Sequence, residues 1–257
     1  MPGLSPEIAR DLAALRRARP LVHCLTHSPA RMFIANALLA AGASPAMVVA
    51  EEEVGPFAAS ARAVLINLGS VSPPVAAAMR ASVAAAGAAG TPVVLDPAAI
   101  GGVLAPRTAL ARELLAARPA ILKGNASEIL TLSGAEGGGL GPDATASVAT
   151  ALPAAQALAR ASGAVVAVTG PVDLVTDGDA VLEIPGGDAL MPVITGTGCA
   201  LGGLMAALLG ANVPPLRAAI SACTTFARAA EVAAREASGP GSFSVAFIDA
   251  LYGMGRS

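Results

Sequence analysis

The sequence predicts an α/β protein whose mostly parallel sheet is covered by helices on both faces. Short runs of Val, Ile and Leu, each bounded by turn residues, alternate with longer Ala- and Leu-rich stretches of helical length. This alternation is typical of repeated strand–helix–strand units. The runs 92–96 and 164–169 are apolar over nearly their whole length, as is expected for strands buried on both faces of a sheet.

The first elements follow from local patterns. Ser5 followed by Pro6 and Glu7 is typical of a helix N-terminus, and this first helix extends to about Arg19 and lies outside the sheet. The strands of the parallel part are predicted at residues 21–25, 46–49, 63–68, 92–95, 120–122 and 164–168. Each predicted strand except the last is followed by turn residues and then by a stretch long enough for a helix.

The pattern changes after the sixth predicted strand. Two short strands are expected at 173–176 and 180–184, joined by the turn Asp177-Gly178, which is a hairpin signal. A hairpin joins antiparallel strands, so it predicts an antiparallel end of the sheet. From Cys199 to the C-terminus the sequence is predicted to be mainly helical.

The composition favours one domain with a large core. Of the 257 residues, 54% are hydrophobic and only 13% are charged, the reverse of a disordered composition. Since α/β folds of this length commonly form one unit, we expect a single domain over residues 1–257. The Gly-rich segment 134–141 is too short to be a linker and is expected to be a surface loop.

Charge and cysteine usage narrow the class of partner. A net charge of -2 with 16 basic and 18 acidic residues provides no basic surface for nucleic acid or an anionic membrane. The apolar stretches are interrupted before the roughly 18 residues that a membrane span needs.

There is no signal-peptide pattern, and three cysteines make no disulfide framework, which predicts a cytoplasmic protein. A core of small aliphatic residues leaves apolar surface that a homo-oligomer would cover.

The candidate chemistry lies where the predicted strands end. In open α/β sheets ligands bind outside the carboxyl ends of the strands. Four polar segments follow predicted strands or precede a helix, namely Asp96, Lys123-Gly124-Asn125 with Glu128, Thr169-Gly170, and 195–199. Together these segments predict a site for an anion and a metal ion.

The segment 195–199 has two interpretations. Gly196 and Gly198 allow backbone N–H groups to point at a phosphate, and a helix that begins near Cys199 adds its positive dipole end. A thiol in that place is expected to be acidified. The alternative is a glycine-rich helix entry that only permits tight packing, with Cys199 as a small buried side chain.

The two acidic candidates also have alternatives. Asp96 and Glu128 would hold Mg²⁺ through oxygen or water, as the transfer of a phosphoryl group from ATP requires. Asn125 with Glu128 three residues later is equally typical of a helix-capping box, and Asp96 before a proline would order a turn. Lys123, the only lysine of the chain, stands where a point charge would meet phosphate.

Other common sites are excluded by what the sequence lacks. It has no Walker-type phosphate loop, no dinucleotide-binding glycine fingerprint after the first strand and no nucleophile elbow. A nucleotide would therefore be bound in another way. His23 and His27 flank a strand end without a cysteine or carboxylate cluster beside them, so structural or substrate-lining roles are favoured over zinc.

Seven short segments follow one another along the sequence. They are Leu21-Val-His-Cys-Leu-Thr-His27, Gly42-Ala-Ser-Pro-Ala-Met47, Val94-Leu-Asp-Pro97, Gly124-Asn-Ala-Ser-Glu-Ile129, Val168-Thr-Gly170, Thr195-Gly-Thr-Gly-Cys199 and Gly239-Pro-Gly-Ser-Phe243. In this order the segments resemble those of the hydroxyethylthiazole kinase family, which belongs to the ribokinase-like superfamily. The resemblance extends over residues 20–252.

The resemblance implies a three-layer α/β/α kinase domain. The implied reaction is ATP-dependent phosphorylation of the hydroxyl of 4-methyl-5-(2-hydroxyethyl)thiazole with Mg²⁺, in a homotrimer whose active sites lie at subunit interfaces. The implied roles are proton acceptor for Cys199, metal and phosphate binding for Asp96 and Glu128, ATP binding for Lys123, Thr169, Asn125 and Gly198, and thiazole binding for Met47, Gly196 and His27.

Three motifs depart from the family's pattern, at four positions. Cys24 and His27 replace two asparagines, Lys123 replaces an arginine, and Ala99 replaces a glycine. These departures keep two alternatives open. One is a kinase for another small heterocyclic alcohol, and the other is a non-catalytic nucleotide sensor on the same scaffold. Retention of Cys199, Asp96 and Glu128 favours an active enzyme.

Overall fold

A single eight-stranded sheet runs through the part of the chain that the computed structural model describes, residues 4–134 and 147–255. The strands are β1 (Leu21–Leu25), β2 (Ser44–Ala46), β3 (Ala63–Asn67), β4 (Val93–Asp96), β5 (Ile121–Asn125), β6 (Val165–Thr169), β7 (Val172–Thr176) and β8 (Val181–Pro185). Their order in the sheet is β2-β1-β3-β4-β5-β6-β7-β8. Pairing is parallel from β2 to β6, whereas β7 and β8 are antiparallel. The predicted parallel sheet with a terminal hairpin is confirmed.

Ten α-helices accompany the strands in the described residues. They are α1 (Pro6–Ala18), α2 (Ser28–Ala41), α3 (Glu51–Ser60), α4 (Pro73–Ala89), α5 (Ala105–Ala116), α6 (Ala126–Ser133), α7 (Val148–Ser162), α8 (Thr197–Gly210), α9 (Pro215–Glu236) and α10 (Pro240–Gly253). A single 3₁₀ turn, Met191–Val193, precedes α8. None of the helices in the described residues has the length and apolar character needed to cross a membrane.

Alternating side chains of the central strands pack into two separate cores. Along β3, Leu65 joins a core that contains residues of α1, α2, α8, α9 and α10. Its neighbours Val64 and Ile66 join the other core, which is formed with α3, α4, α5, α6 and α7. Because successive strand residues point to opposite faces, the sheet has helices on both sides. The predicted α/β/α layering is confirmed.

Local sequence signals explain where several helices begin. Ser5 caps α1 by accepting a hydrogen bond from the Ile8 N–H, and Pro6 follows as the first helical residue. At the start of α6, the Asn125 side chain accepts from the Glu128 N–H while the Glu128 carboxylate accepts from the Asn125 N–H. The capping box expected from the sequence is therefore present.

Three local expectations differ from the structure. The strand expected at 46–49 is Ser44–Ala46, because pairing with β1 ends at Ala46 and the following residues leave the sheet. The expected turn Lys123-Gly124-Asn125 is part of β5, since pairing with β6 continues to Asn125. Helix α8 begins at Thr197, before Cys199.

The Gly-rich segment expected to form a surface loop is only partly described. Gly134 ends α6 in a left-handed conformation with φ 79°, which is the usual place for glycine after a helix. The rest of the expected loop, residues 135–141, lies outside the described residues.

Ala99 has an unusual backbone conformation between β4 and α5. Its φ is 60°, in the left-handed region, where the Cβ atom approaches the following carbonyl oxygen. Glycine has no such conflict, which accounts for a glycine at this position in the family's pattern. Ala99 therefore stores backbone strain in a loop that leads away from the sheet.

We expect Ala99→Gly to stabilise the fold. Relief of the left-handed strain contributes ~1–2 kcal/mol, and the greater freedom of glycine in the unfolded chain takes back ~0.4–1 kcal/mol. A net gain of roughly 0.5–1 kcal/mol corresponds to a rise in Tm of about 2 °C for a chain of this size. Thermal unfolding followed by circular dichroism measures it.

Ala98→Gly is the matched control for this prediction. Ala98 is not among the described non-glycine residues with positive φ, so glycine there relieves no strain and should lower Tm. Equal or lower Tm for Ala99→Gly than for the unchanged protein would contradict the argument.

Candidate active site

A buried ion pair lies at the carboxyl ends of the central strands. Asp96, the last residue of β4, is fully buried, and its Oδ2 accepts a hydrogen bond from Lys123 Nζ of β5 at 3.2 Å. Asn67, which ends β3 and is paired in register with Asp96, donates from Nδ2 to the same oxygen at 2.8 Å. The other carboxylate oxygen, Oδ1, has no hydrogen-bond partner among the described residues.

The charges around Lys123 keep it protonated. Burial alone would lower the pKa of its ammonium group, but the negative charges of Asp96 and Glu128 outweigh burial and raise the pKa above its ordinary value. The only lysine of the chain therefore carries a permanent positive charge inside the protein, close to the strand ends. Such a charge suits a phosphate group.

Glu128 connects two segments that border the ion pair. Its Oε1 accepts from the Ala99 N–H at 2.8 Å, and its Oε2 accepts from the Asn125 N–H at 2.7 Å. Burial, together with the charge of Asp96, raises the pKa of Glu128. Each oxygen keeps a further acceptor position, so Glu128 is free to contact a metal-bound water while it holds the strained loop against the start of α6.

The glycines before Cys199 bring the first turn of α8 against neighbouring elements. Gly196 has φ 95°, and a Cβ atom there would lie 3.2 Å from Phe33 Cβ and 3.3 Å from Ala30 Cα of α2. A Cβ atom on Gly198 would lie 3.5 Å from Lys123 Nζ. The positive end of α8 therefore lies beside the Lys123 ammonium group, where an anion would be attracted by both.

Cys199 does not have the acidity expected from its place at a helix start. Its pKa is raised to about 12, first by burial and then by the negative charge of Asp96, although Lys123 and a hydrogen bond with Asn67 oppose this. The expected acidification is therefore wrong for the protein without ligands. Burial and the negative charge of Asp96 outweigh the groups that favour the thiolate, so the thiol is neutral at pH 7.

His27 is joined to the ion pair through Asn67. The Oδ1 atom of Asn67 lies 3.0 Å from His27 Nδ1 and accepts hydrogen bonds from the Thr26 hydroxyl at 3.1 Å and the Gly69 N–H at 3.3 Å. Asn67 is not among the residues predicted from the sequence motifs. The rule that selected Asp96, a polar residue at the end of an apolar run, applies to Asn67 equally and would have found it.

The remaining predicted residues lie around this centre. Thr169 ends β6 and is in register with Asn125 at the end of β5. The following Gly170 N–H donates to the Asp173 carboxylate at 3.0 Å, which shapes the turn after the strand. Met47 is half-buried and packs against the same core as Cys199. No described hydrogen bond or ion pair joins Met47 or Thr169 to Asp96.

The carboxylate oxygens of Asp96 and Glu128 suit Mg²⁺ better than a metal ion whose ligands all come from protein side chains. No three His, Cys, Asp or Glu side chains in the described ranges are grouped as a ready-made metal site. Mg²⁺ usually takes one or two carboxylates and completes its octahedron with water and phosphate oxygens. The unpartnered Oδ1 of buried Asp96 meets that requirement, and Glu128 can contribute through water.

Several known proteins are similar to this chain over most of its length. Residues 12–256 match the model of the hydroxyethylthiazole kinase family. The chain is 52% identical over 250 residues to hydroxyethylthiazole kinase of Klebsiella pneumoniae, covering 97% of this chain and 96% of that protein. It is 49% identical over 245 residues to hydroxyethylthiazole kinase of Leptospira interrogans, covering 95% and 92% respectively.

Solved structures show the same fold. The hydroxyethylthiazole kinase protein of Pyrococcus horikoshii OT3 superposes with a TM-score of 0.86 at 40% identity, over 95% of this chain and 92% of that chain. A ribokinase-like superfamily protein of Enterococcus faecalis, 15% identical, has a TM-score of 0.69 over 98% and 95% of the two chains and shares the fold alone. With a family model that spans nearly the whole sequence and relatives about half identical to it, the chain belongs to the hydroxyethylthiazole kinase family.

Proposed function

We propose that this protein transfers the γ-phosphoryl group of ATP to the hydroxyl of 4-methyl-5-(2-hydroxyethyl)thiazole. The observation that carries the proposal is the buried Lys123–Asp96 pair under the first turn of α8, in a chain of the hydroxyethylthiazole kinase family. A permanent cation, an unpartnered carboxylate oxygen and a helix N-terminus together suit a nucleotide phosphate with its Mg²⁺.

In this proposal the phosphate groups are held by charges that are already in place. Lys123, Thr169, Asn125 and Gly198 bind ATP, with the first-turn N–H groups of α8 directed at the transferring phosphoryl group. Asp96 would hold Mg²⁺ by its unpartnered oxygen, with a contribution from Glu128. When bound, Mg²⁺ neutralises phosphate charge. Positioning and charge stabilisation provide most of the rate enhancement in such a reaction.

Cys199 is proposed to accept the proton of the attacking hydroxyl. The thiol is neutral in the ligand-free protein, so it must first release its own proton to solvent, and only the resulting thiolate can accept the proton of the hydroxyl. In a loose, metaphosphate-like transition state the hydroxyl loses its proton late, which reduces the demand on the proton acceptor. Lys123 and the hydrogen bond from Asn67 are the groups that favour the thiolate when it forms.

Met47, Gly196 and His27 are proposed to bind the acceptor alcohol. A second candidate function keeps the phosphoryl transfer and changes the acceptor to another small heterocyclic alcohol. The observation that favours it is His27 at a position where the family's pattern has asparagine, hydrogen-bonded to a residue that also contacts Asp96. An imidazole differs from an amide in size and in donor and acceptor groups, so it changes what the pocket accepts.

A cytoplasmic homotrimer with active sites at its interfaces is also proposed. It is supported by the resemblance and by exposed apolar side chains around a cavity of about 280 Å³ between α2 and α10. Met32 is 76% exposed there, and Val245 is 64% exposed. Isolated chains rarely leave such side chains together in water.

Light scattering tests the trimer, because a measured mass equal to that of one chain would contradict it.

The proposed reaction makes ADP release depend on the thiazole. Purified protein with Mg-ATP should release ADP on addition of 4-methyl-5-(2-hydroxyethyl)thiazole, with a product heavier by one phosphate group in the mass spectrum. 4,5-Dimethylthiazole, which lacks the hydroxyl, is the control and should release none. Mg-ATP binding without thiazole phosphate would refute the proposed function, and a panel of other heterocyclic alcohols would then test the second candidate.

Two substitutions should separate turnover from nucleotide binding. Cys199→Ala removes the proposed proton acceptor and should lower kcat by about 10²-fold, the lower end of general-base effects, with little change in the Kd of Mg-ATP. Lys123→Met removes a buried charge from the phosphate side and should raise that Kd by about 10-fold or more. Steady-state kinetics and isothermal titration calorimetry measure the two effects.

Cys24→Ala is the matched control for the thiol. Cys24 is a fully buried cysteine of β1 to which the proposed reaction gives no role, and its replacement should leave kcat and Kd near their original values. An unchanged kcat for Cys199→Ala would remove Cys199 from the mechanism. An unchanged Kd for a folded Lys123→Met protein would remove Lys123 from ATP binding.

A further inference from the structure

Asn67 makes hydrogen bonds on both sides of its amide group, and their directions determine which atom is which. Its Nδ2 lies 2.8 Å from the Asp96 carboxylate, which only accepts, so Nδ2 must be the donor. Its Oδ1 lies 3.3 Å from the Gly69 N–H, which only donates. The amide of this fully buried residue therefore has one orientation that satisfies its neighbours.

That orientation determines where His27 carries its proton. Oδ1 of Asn67 can only accept, so the His27 Nδ1 atom 3.0 Å away must donate to it. A neutral His27 is therefore protonated on Nδ1, and its Nε2 carries a lone pair. His27 is half-buried, and no residue of ranges 4–134 and 147–255 forms a hydrogen bond with Nε2. The Nε2 atom is thus an available acceptor.

The other histidine has the opposite tautomer. His23 is fully buried, and its Nε2 lies 2.9 Å from the Val48 carbonyl oxygen, which only accepts. His23 must therefore be protonated on Nε2, with Nδ1 facing the Ser82 hydroxyl at 3.5 Å. Since the chain contains two histidines, their ring nitrogens can be told apart in one spectrum.

We propose that Asn67 is a positioning residue that joins the acceptor side of the site to its phosphate side. Its oxygen holds His27 with Nε2 available to accept a hydrogen bond from a substrate donor such as an alcohol hydroxyl. Its nitrogen holds Asp96 so that Oδ2 faces Lys123 and Oδ1 stays unpartnered. The role assigned to substrate and Mg-ATP rests on the proposed function, whereas the hydrogen-bond arrangement does not.

The His27 ring and the Asn67 amide have little space around them, which supports a fixed arrangement. A Cβ atom on Gly69 would overlap the His27 ring, so only glycine permits the ring and the Asn67 amide to approach as they do. The Thr26 hydroxyl also donates to Asn67 Oδ1, at 3.1 Å. Three donors on one buried oxygen leave the amide no alternative rotation that keeps its hydrogen bonds.

Two substitutions of Asn67 separate its two arms, namely the hydrogen bond between Oδ1 and His27 and the hydrogen bond from Nδ2 to Asp96. Asn67→Asp keeps an acceptor oxygen for His27 but removes the donor to Asp96 and places a second carboxylate beside it. Asn67→Leu removes both arms. With ¹⁵N-labelled protein at pH 8, we expect the unchanged protein and Asn67→Asp to have His27 protonated on Nδ1. We expect Asn67→Leu to lose that preference, and His23 should keep its Nε2 proton in all three proteins.

Isothermal titration calorimetry tests the Asp96 arm through the Kd of Mg-ATP, and this measurement needs no turnover. The Kd of Mg-ATP should rise about tenfold or more in both variants, because the Asp96 carboxylate is no longer held in the orientation that leaves Oδ1 unpartnered. The Kd of ATP without Mg²⁺ should change much less. Thr225→Val, an isosteric loss of a buried hydroxyl that donates to the Ser221 carbonyl at 2.6 Å, is the control for a purely structural effect and should change neither constant.

The outcomes are distinct from those of the proposed function. An unchanged His27 tautomer in Asn67→Leu, or an unchanged Mg-ATP Kd in both Asn67 variants, would overturn the positioning role. If Asn67→Leu fails to fold, Asn67→Asp alone tests the Asp96 arm, and a His27 ring protonated on Nε2 in the unchanged protein overturns the other arm. Absence of thiazole phosphorylation would refute the proposed function while leaving both measurements interpretable.

Discussion

Burial of a lysine–aspartate pair at the carboxyl end of a parallel sheet is the constraint on which the site depends. Taking two charges out of water costs several kcal/mol per ion unless each has good partners. Asp96 is satisfied on one oxygen by Lys123 and Asn67, and Lys123 is additionally stabilised by the charge of Glu128. The strand ends, the helix start of α8 and the neighbouring loop are all arranged around this pair.

The same electrostatic balance affects the groups around the pair. Glu128 uses both oxygens to hold the backbone of Ala99 and Asn125, so one carboxylate controls a strained loop and the start of a helix. Cys199 shares the burial and the negative charge of Asp96, which makes its thiol a weak acid despite its place in the first turn of α8. The carboxylate side of the site therefore disfavours a further negative charge unless a cation offsets it, whereas the Lys123 side attracts anions.

Much of the fold could be predicted from the sequence because its signals are local. Apolar runs located the sheet, Asp177-Gly178 marked the hairpin, and Asn125 with Glu128 marked the start of α6. The predicted element boundaries that differ from the structure are those that strand pairing determines. Lys123-Gly124-Asn125 has the composition of a turn, but β6 provides hydrogen-bond partners that extend β5 to Asn125. The strand expected at 46–49 ends early because β1 pairs with it only to Ala46.

The sequence by itself determined the elements, their order, the family and most of the polar residues at the strand ends. Those features depend on neighbours in the chain, on period and on short motifs. Only the tertiary structure decided that Asn67 reaches Asp96, 29 residues away, and that its amide orients His27. It also decided that Cys199 is a weak acid, because desolvation and the charges of distant residues are set by packing, which no local pattern contains.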